Sequence, residues 1–234
     1  YFRWLRDSEG RLGFSESENC LVPYQFIDKA VKSNVVGNPE SEEIAIGVDC
    51  ARFGSDSTVI TYRVGNEVMQ PIKLKGKRGH EIAQFTLNLA LELKGKLSYK
   101  GSIVISIDDT GLGASTSDSL FKMKKEDRIK YNNIILKEIN FGSKAKNEDL
   151  YANLISEIAF YIKDLLINEK LKLPDNKELI EEISLREYVL DNKNRQKLES
   201  KDEFKKKNNG RSPDTFDSLL MCFANRIKKH ICFV

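Results

Sequence analysis

The stretch EEIAIGVDCARFGSDSTVITYRVGNEVMQPIKL, residues 42–74, holds three short apolar runs in quick succession. Ile44, Ala45, Ile46 and Val48 form the first, which closes on Asp49, and residues 57–64 form the second. Runs of this length, rich in β-branched side chains, read as strands. Gly65 and Asn66 supply a turn into a third run at 67–74, so the three predict an antiparallel meander.

Helix and strand signals alternate downstream. Ile82, Phe85, Leu89 and Leu93 recur at helical spacing until Gly95, which predicts a helix stopped there. Residues 102–107 read as a strand ending in Asp108 and Asp109. Thr110, Gly111, Leu112 and Gly113 then form a tight turn before a helix at 115–123. A further strand is expected at 133–139. Leu150, Leu154, Ile158, Ile162 and Leu165 keep a near-four-residue step, predicting a long amphipathic helix over 147–168. A short helical turn at 178–183 follows Pro174, and residues 185–190 and 195–199 flank Asp191, Asn192, Lys193 and Asn194 as a hairpin. In the last helix Ser212 serves as N-cap and Pro213 as first residue. Phe216, Leu219, Leu220, Phe223 and Ile227 make its buried stripe, leaving Asp214 and Asp217 to share the other side.

This succession predicts one α/β domain over 41–234, with a central mixed sheet flanked by helices. Residues 1–40, with Pro23, Gly37, Pro39 and one helix-like stretch at 24–32, read as a connector. The start at Tyr1 without a basic-then-apolar leader is expected of a piece of a longer protein and argues against a signal peptide. A chain of 234 residues buries a core without staples, and its 40% hydrophobic and 31% charged content is that of a globular domain. No apolar run approaches membrane-spanning length. Cys20, Cys50, Cys222 and Cys232 lack a CxxC pair and have only His80 and His230 as nitrogen company, which argues against zinc. Cys50 and Cys222 sit in apolar stretches as reduced core thiols do.

The net charge of +3 does not by itself imply a nucleic-acid partner, but the positive charge is clustered. Lys73, Lys75, Lys77 and Arg78 form one group. Lys193, Arg195, Lys197, Lys201, Lys205, Lys206, Lys207 and Arg211 form a denser one, fit to neutralise phosphates or simply to solvate a face.

Three separated stretches deliver carboxylates at the end of an element: Asp49, Asp108, and Asp214 with Asp217. Carboxylates gathered from different elements repel one another unless a cation neutralises them, and hard ions such as Mg²⁺ and Mn²⁺ prefer oxygen ligands. Two such ions roughly 3.5–4 Å apart hydrolyse phosphodiesters by in-line displacement. Each acid also has an ordinary reading. Asp49 fits a strand-end turn, and Asp214 and Asp217 favour a helix N-terminus electrostatically. Of neighbours Asp108 and Asp109 only one points into a given face. DDTGLG lacks a Walker or dinucleotide fingerprint and reads as a turn. His80 reads as a capping or surface residue, and no Ser/His/Asp constellation is present.

Taken together, GVDCARFGSDSTVI (47–60), ISIDDTGLG (105–113) and GRSPDTFDSLLMCFA (210–224) resemble, in order and spacing, the three motif blocks of the nuclease domains of bacteriophage terminase large subunits. The resemblance implies a ribonuclease H-like fold with an added basic hairpin, and an endonuclease that cuts double-stranded DNA during genome packaging with two Mg²⁺ or Mn²⁺ ions. By motif position Asp49, Asp108 and Asp214 are the principal metal ligands and Asp217 an additional ligand or support. Asp109 departs from the family pattern and leaves open which of the pair binds. The basic stretch from Lys201 to Lys207 is expected near DNA. Also implied are a packaging ATPase domain of the same chain preceding residues 1–40, a portal protein and a small terminase subunit as partners, and a place at the prohead portal in the bacterial cytoplasm. Competing expectations are a Holliday-junction resolvase or transposase on the same fold, and a catalytically silent domain that docks on DNA or portal.

Overall fold

A computed structural model describes residues 4–6, 12–14, 19–50, 57–108 and 112–227. In chain order its elements are β1 (Trp4–Arg6), β2 (Leu12–Phe14), α1 (Tyr24–Val31), β3 (Ile44–Asp49), β4 (Thr58–Val64), β5 (Glu67–Val68), β6 (Ile72–Leu74), α2 (Gly79–Lys96), β7 (Ile103–Asp108) and α3 (Leu112–Glu126). They continue with β8 (Ile134–Ile139), α4 (Leu154–Ile167), α5 (Lys177–Leu185), β9 (Tyr188–Leu190), β10 (Gln196–Leu198), α6 (Lys201–Lys207) and α7 (Asp214–Phe223), which ends in a 3₁₀ turn.

The central sheet runs β5-β4-β3-β7-β8, with β6 also pairing β4. The β3–β4 pair is antiparallel, and β3–β7 and β7–β8 are parallel, so the sheet is mixed as expected. The third apolar run of the meander breaks into β5 and β6. Pro71 lies between them and has no N–H to give a ladder. Both pieces still pair with β4.

Alternation along β3 and β7 divides their side chains between two layers. Ile44, Ile46, Val48, Ile103, Ile105 and Ile107 face a core shared with Ile82, Leu87, Ala90 and Leu93 of α2 and Leu120 of α3. The opposite face receives α7, which is buried from Thr215 to Phe223 and packs in turn on α4 and α5, with α1 against those two helices. Gly47 permits this approach, since a Cβ there would lie 2.1 Å from the Ser218 carbonyl oxygen.

Buried polar groups fix α7 against β4. Thr61 and Ser218 exchange a hydroxyl hydrogen bond of 2.6 Å. The fully buried Arg63 donates from Nε to the Cys222 carbonyl at 2.8 Å and pairs with Glu43. That carbonyl belongs to the last turn of α7, so Arg63 satisfies one acceptor the helix leaves open.

Several boundaries differ from expectation for local reasons. The helix α2 passes through Gly95 to Lys96, because a glycine in an exposed turn weakens a helix by only about 1 kcal/mol. The helix α4 starts at Leu154, not 147: Asn153 accepts the Ser156 N–H, while Tyr151 and Ala152 are drawn to Gln196. Asn176 caps a longer α5 than the short turn expected. Leu112 and Gly113 belong to α3 rather than to a turn. Ser212 does not cap α7; Pro213 holds that position and the Ser212 hydroxyl goes to Asp214. Part of the expected connector packs into the domain, with Leu21, Val22, Ile27 and Ala30 buried in the α4–α7 core.

Candidate metal centre

Asp49 is the last residue of β3 and is 4% exposed. Two residues beyond Gly47, it lies on the face that α7 covers. Asp108 ends β7. Because Val48 pairs with Ile107 in the parallel ladder, Asp108 stands beside Asp49 on the neighbouring strand and the same face. Gly113, in the first turn of α3, comes so close that a Cβ would lie 2.0 Å from the Asp108 carbonyl oxygen. Asp214 and Asp217 occupy the first turn of α7, the end where the helix dipole favours negative charge.

Three of these acids meet one ammonium group. Lys201 Nζ lies 3.2 Å from Asp49 Oδ2, 2.8 Å from Asp214 Oδ1 and 3.3 Å from Asp217 Oδ2. The residue is held there by the start of α6, where Ser200 and Glu203 cap each other's backbone N–H and Phe204 is buried. Sequence alone placed Lys201 among the lysines expected near DNA; in the structure its charge lies inside the acid cluster.

The electrostatics follow from crowding. Burial pushes the Asp49 carboxyl well above the ordinary range; Lys201 pulls it down, and Asp217 and Asp214 push it up again. For Asp214 burial acts in the same sense, but the charge of Lys201 and hydrogen bonds from Lys201, Ser212 and Asp49 outweigh it and hold the carboxyl below its usual value. The same surroundings thus push the two carboxyls in opposite directions. Burial works to lower the Lys201 ammonium, yet the charges of Asp217, Asp49 and Asp214 leave it raised.

Two groups, Glu182 on α5 and Arg186 just past its end, complete the surroundings, and no motif in the sequence marks either. Arg186, 1% exposed, brings Nη2 to 3.7 Å from Asp217 Oδ1 and lies over the rings of Phe204 and Phe216. Glu182, 6% exposed, accepts the Phe216 N–H at 2.6 Å. Burial, countered by that N–H and reinforced by Asp217, lifts its carboxyl to about 9. A cleft of about 360 Å³ opens beside Asp214, with Lys73, Glu182, Asn208 and Arg211 in its wall.

The remaining basic residues are spread around this centre. Arg195 is tied to Asp191 in the β9–β10 hairpin, whose turn carries Lys193, and Lys197 is exposed on β10. Lys205 and Lys206 lie on α6, Lys207 pairs with Glu187 and Glu199, and Arg211 pairs with Glu181. Asp109 and residues 51–56 of the first motif block lie outside the described residues.

Among the described residues no group of three or more His, Cys, Asp or Glu side chains is set to hold a metal ion as it stands. The Lys201 ammonium lies where their oxygens converge. The donor set is nonetheless the hard-oxygen kind that magnesium and manganese take. Asp217 Oδ1 is moreover buried with no hydrogen-bond partner.

No family model and no curated protein sequence matches the chain. Solved structures match it in fold. The nuclease domain of the large terminase subunit of bacterial virus Sf6 aligns with a TM-score of 0.70 at 16% identity, covering 87% of this chain and 97% of that one. The large terminase nuclease from thermophilic phage G20c gives 0.56 at 13%, covering 88% and 98%. The HK97 bacteriophage large terminase gives 0.55 at 11%, covering 88% of this chain but 43% of that longer one. Structures of a mutant Sf6 domain with manganese and of the G20c nuclease with magnesium or cobalt are among these neighbours. The chain thus shares the mixed α/β, ribonuclease H-like fold of phage large-terminase nuclease domains.

Proposed function

We propose that this domain is a divalent-metal-dependent endonuclease that cuts double-stranded DNA during phage genome packaging. The observation that carries the reading is the meeting of Asp49, Asp214 and Asp217 at a single cation position, with Asp108 on the adjoining strand. Strand ends of an α/β sheet are where ligand sites concentrate. The fold likeness to terminase nucleases supplies the substrate class.

Asp49, Asp108 and Asp214 are the ligands of the reading, with Asp217 held between Arg186 and Lys201 as a further ligand or support. Divalent ions bound there would activate water and clamp the scissile phosphate. The chain's own residues do the rest. Withdrawal of the Lys201 ammonium would free the oxygens of Asp49, Asp214 and Asp217 to hold such ions. Lys193, Lys197 and Lys206, all exposed, supply charge for the DNA backbone. A packaging ATPase domain in the same chain, portal and small-subunit partners, and action in the bacterial cytoplasm belong to the same proposal.

The test is plasmid cleavage by the purified chain with Mn²⁺ or Mg²⁺. Linear or nicked product is expected, abolished by chelator and by Asp49→Ala. Undiminished cutting by Asp49→Ala would remove this site from the chemistry.

A further inference from the structure

The first turn of α7 carries two of the four acids, yet the helix has no cap of its own. The N-cap residue Pro213 makes no side-chain hydrogen bond, and the Ser212 hydroxyl is spent on Asp214 Oδ1 at 2.5 Å. The first N–H groups of a helix have no intrahelical acceptor and require one from elsewhere. Asp217 N–H reaches the Pro213 carbonyl at 2.9 Å, the first such bond of this helix. Phe216 N–H is met instead by Glu182 Oε2, from a helix 34 residues earlier in the chain.

A further buried carboxyl beside Asp214 and Asp217 is costly on electrostatic grounds, since like charges in a poorly solvated site disfavour one another. A leucine or methionine at position 182 would fill the same volume without that cost. Just past the end of α5, Arg186 reaches Asp217. This end of α5 thus holds the acid-bearing turn twice, Glu182 by a backbone N–H of the turn and Arg186 by one of its side chains.

We propose that Glu182 is a positioning residue for the metal centre: it caps α7 from outside the helix, fixing the direction in which Asp214 and Asp217 present their carboxylates to Asp49. It acts as a hydrogen-bond acceptor and not as a ligand. The inference rests on the reading that these acids bind a divalent ion, and the experiment separates the two.

Mn²⁺ binding is measured by calorimetry on the full chain, together with its melting temperature, for the wild type, Glu182→Gln and Glu182→Leu. The amide of glutamine keeps an oxygen for the Phe216 N–H, so Glu182→Gln should bind Mn²⁺ within about threefold of wild type. Glu182→Leu should lose at least about tenfold in affinity, a change of about 1.4 kcal/mol. Equal affinity in Glu182→Leu and wild type overturns the inference, whatever the melting temperature does. Equal loss in both variants overturns it too, because the carboxylate charge would then be what matters. If Glu182→Leu does not fold, Glu182→Gln still decides: retained affinity supports an acceptor, and lost affinity contradicts it. A wild-type chain that binds no Mn²⁺ would instead sink the metal reading itself.

Discussion

Lys201 stands at the centre of the candidate site, its one ammonium serving three carboxylates whose own repulsion is otherwise uncompensated. A cation binding to those oxygens must displace it. Lys201→Ala is therefore expected to raise Mn²⁺ affinity by at least about tenfold, the equivalent of about 1.4 kcal/mol. In chelator the same variant should melt below wild type, because the acids lose the ammonium that pairs with all three, and added Mn²⁺ should restore stability. Unchanged or weaker Mn²⁺ binding in calorimetry would contradict this role. The acids could be picked out as candidates in the sequence because each closes an apolar run or lies in the first turn of a helix. The place of Lys201 was not: a lysine in a lysine-rich stretch carries no sign that its neighbours in space are aspartates 152, 13 and 16 residues away in sequence.

At the scale of elements, the site depends on how closely α7 lies against β3. Gly47 sets that distance. Gly47→Ala must push α7 outward by way of the Ser218 carbonyl, and overpacking of this kind typically costs about 1–3 kcal/mol. Urea unfolding should show the loss, and cleavage should fall with it because Asp217 moves away from Asp49; unaltered stability would mean the two elements are not in contact as described. The β9–β10 hairpin offers a separate check. Asp191 accepts N–H groups of Lys193 and Arg195 and the Arg195 Nε, and the Arg195 hydrogen bonds foremost hold its carboxyl down to about 2. Its folded value thus lies below its unstructured value of about 3.9, so its contribution to the hairpin is present above that value and is lost as pH falls through about 2. Amide exchange protection at Lys193 and Arg195 should persist at pH 4, disappear near pH 2, and be weak at both in Asp191→Ala. Equal protection in the variant would contradict the assignment. This hairpin was readable from its turn residues. The late start of α4 was not, because Asn153 and the docking of Tyr151 on β10 override a periodicity that runs back to Leu150.

For the whole molecule, the order of the sheet brings distant parts of the chain to one point. Asp49 and Asp108 become neighbours only through the parallel β3–β7 ladder, and α7, last in the chain, reaches both by packing across the opposite face from α2 and α3. The succession of apolar runs predicts the α/β sheet, and in the folded sheet the alternation of Ile44, Ile46 and Val48 with Gly47 and Asp49 sets the face that Asp49 shares with Asp108. What the pattern does not contain is the third layer: Glu182 on α5 and Arg186 just past it make contacts whose partners lie more than 30 residues onward. The most direct measurement is an anomalous-scattering map from a crystal of the chain soaked in Mn²⁺. A manganese peak bound by carboxylate oxygens of Asp49, Asp108 and Asp214 is expected, with the Lys201 ammonium displaced from among them. An empty cluster with Lys201 still in its three ion pairs would contradict it.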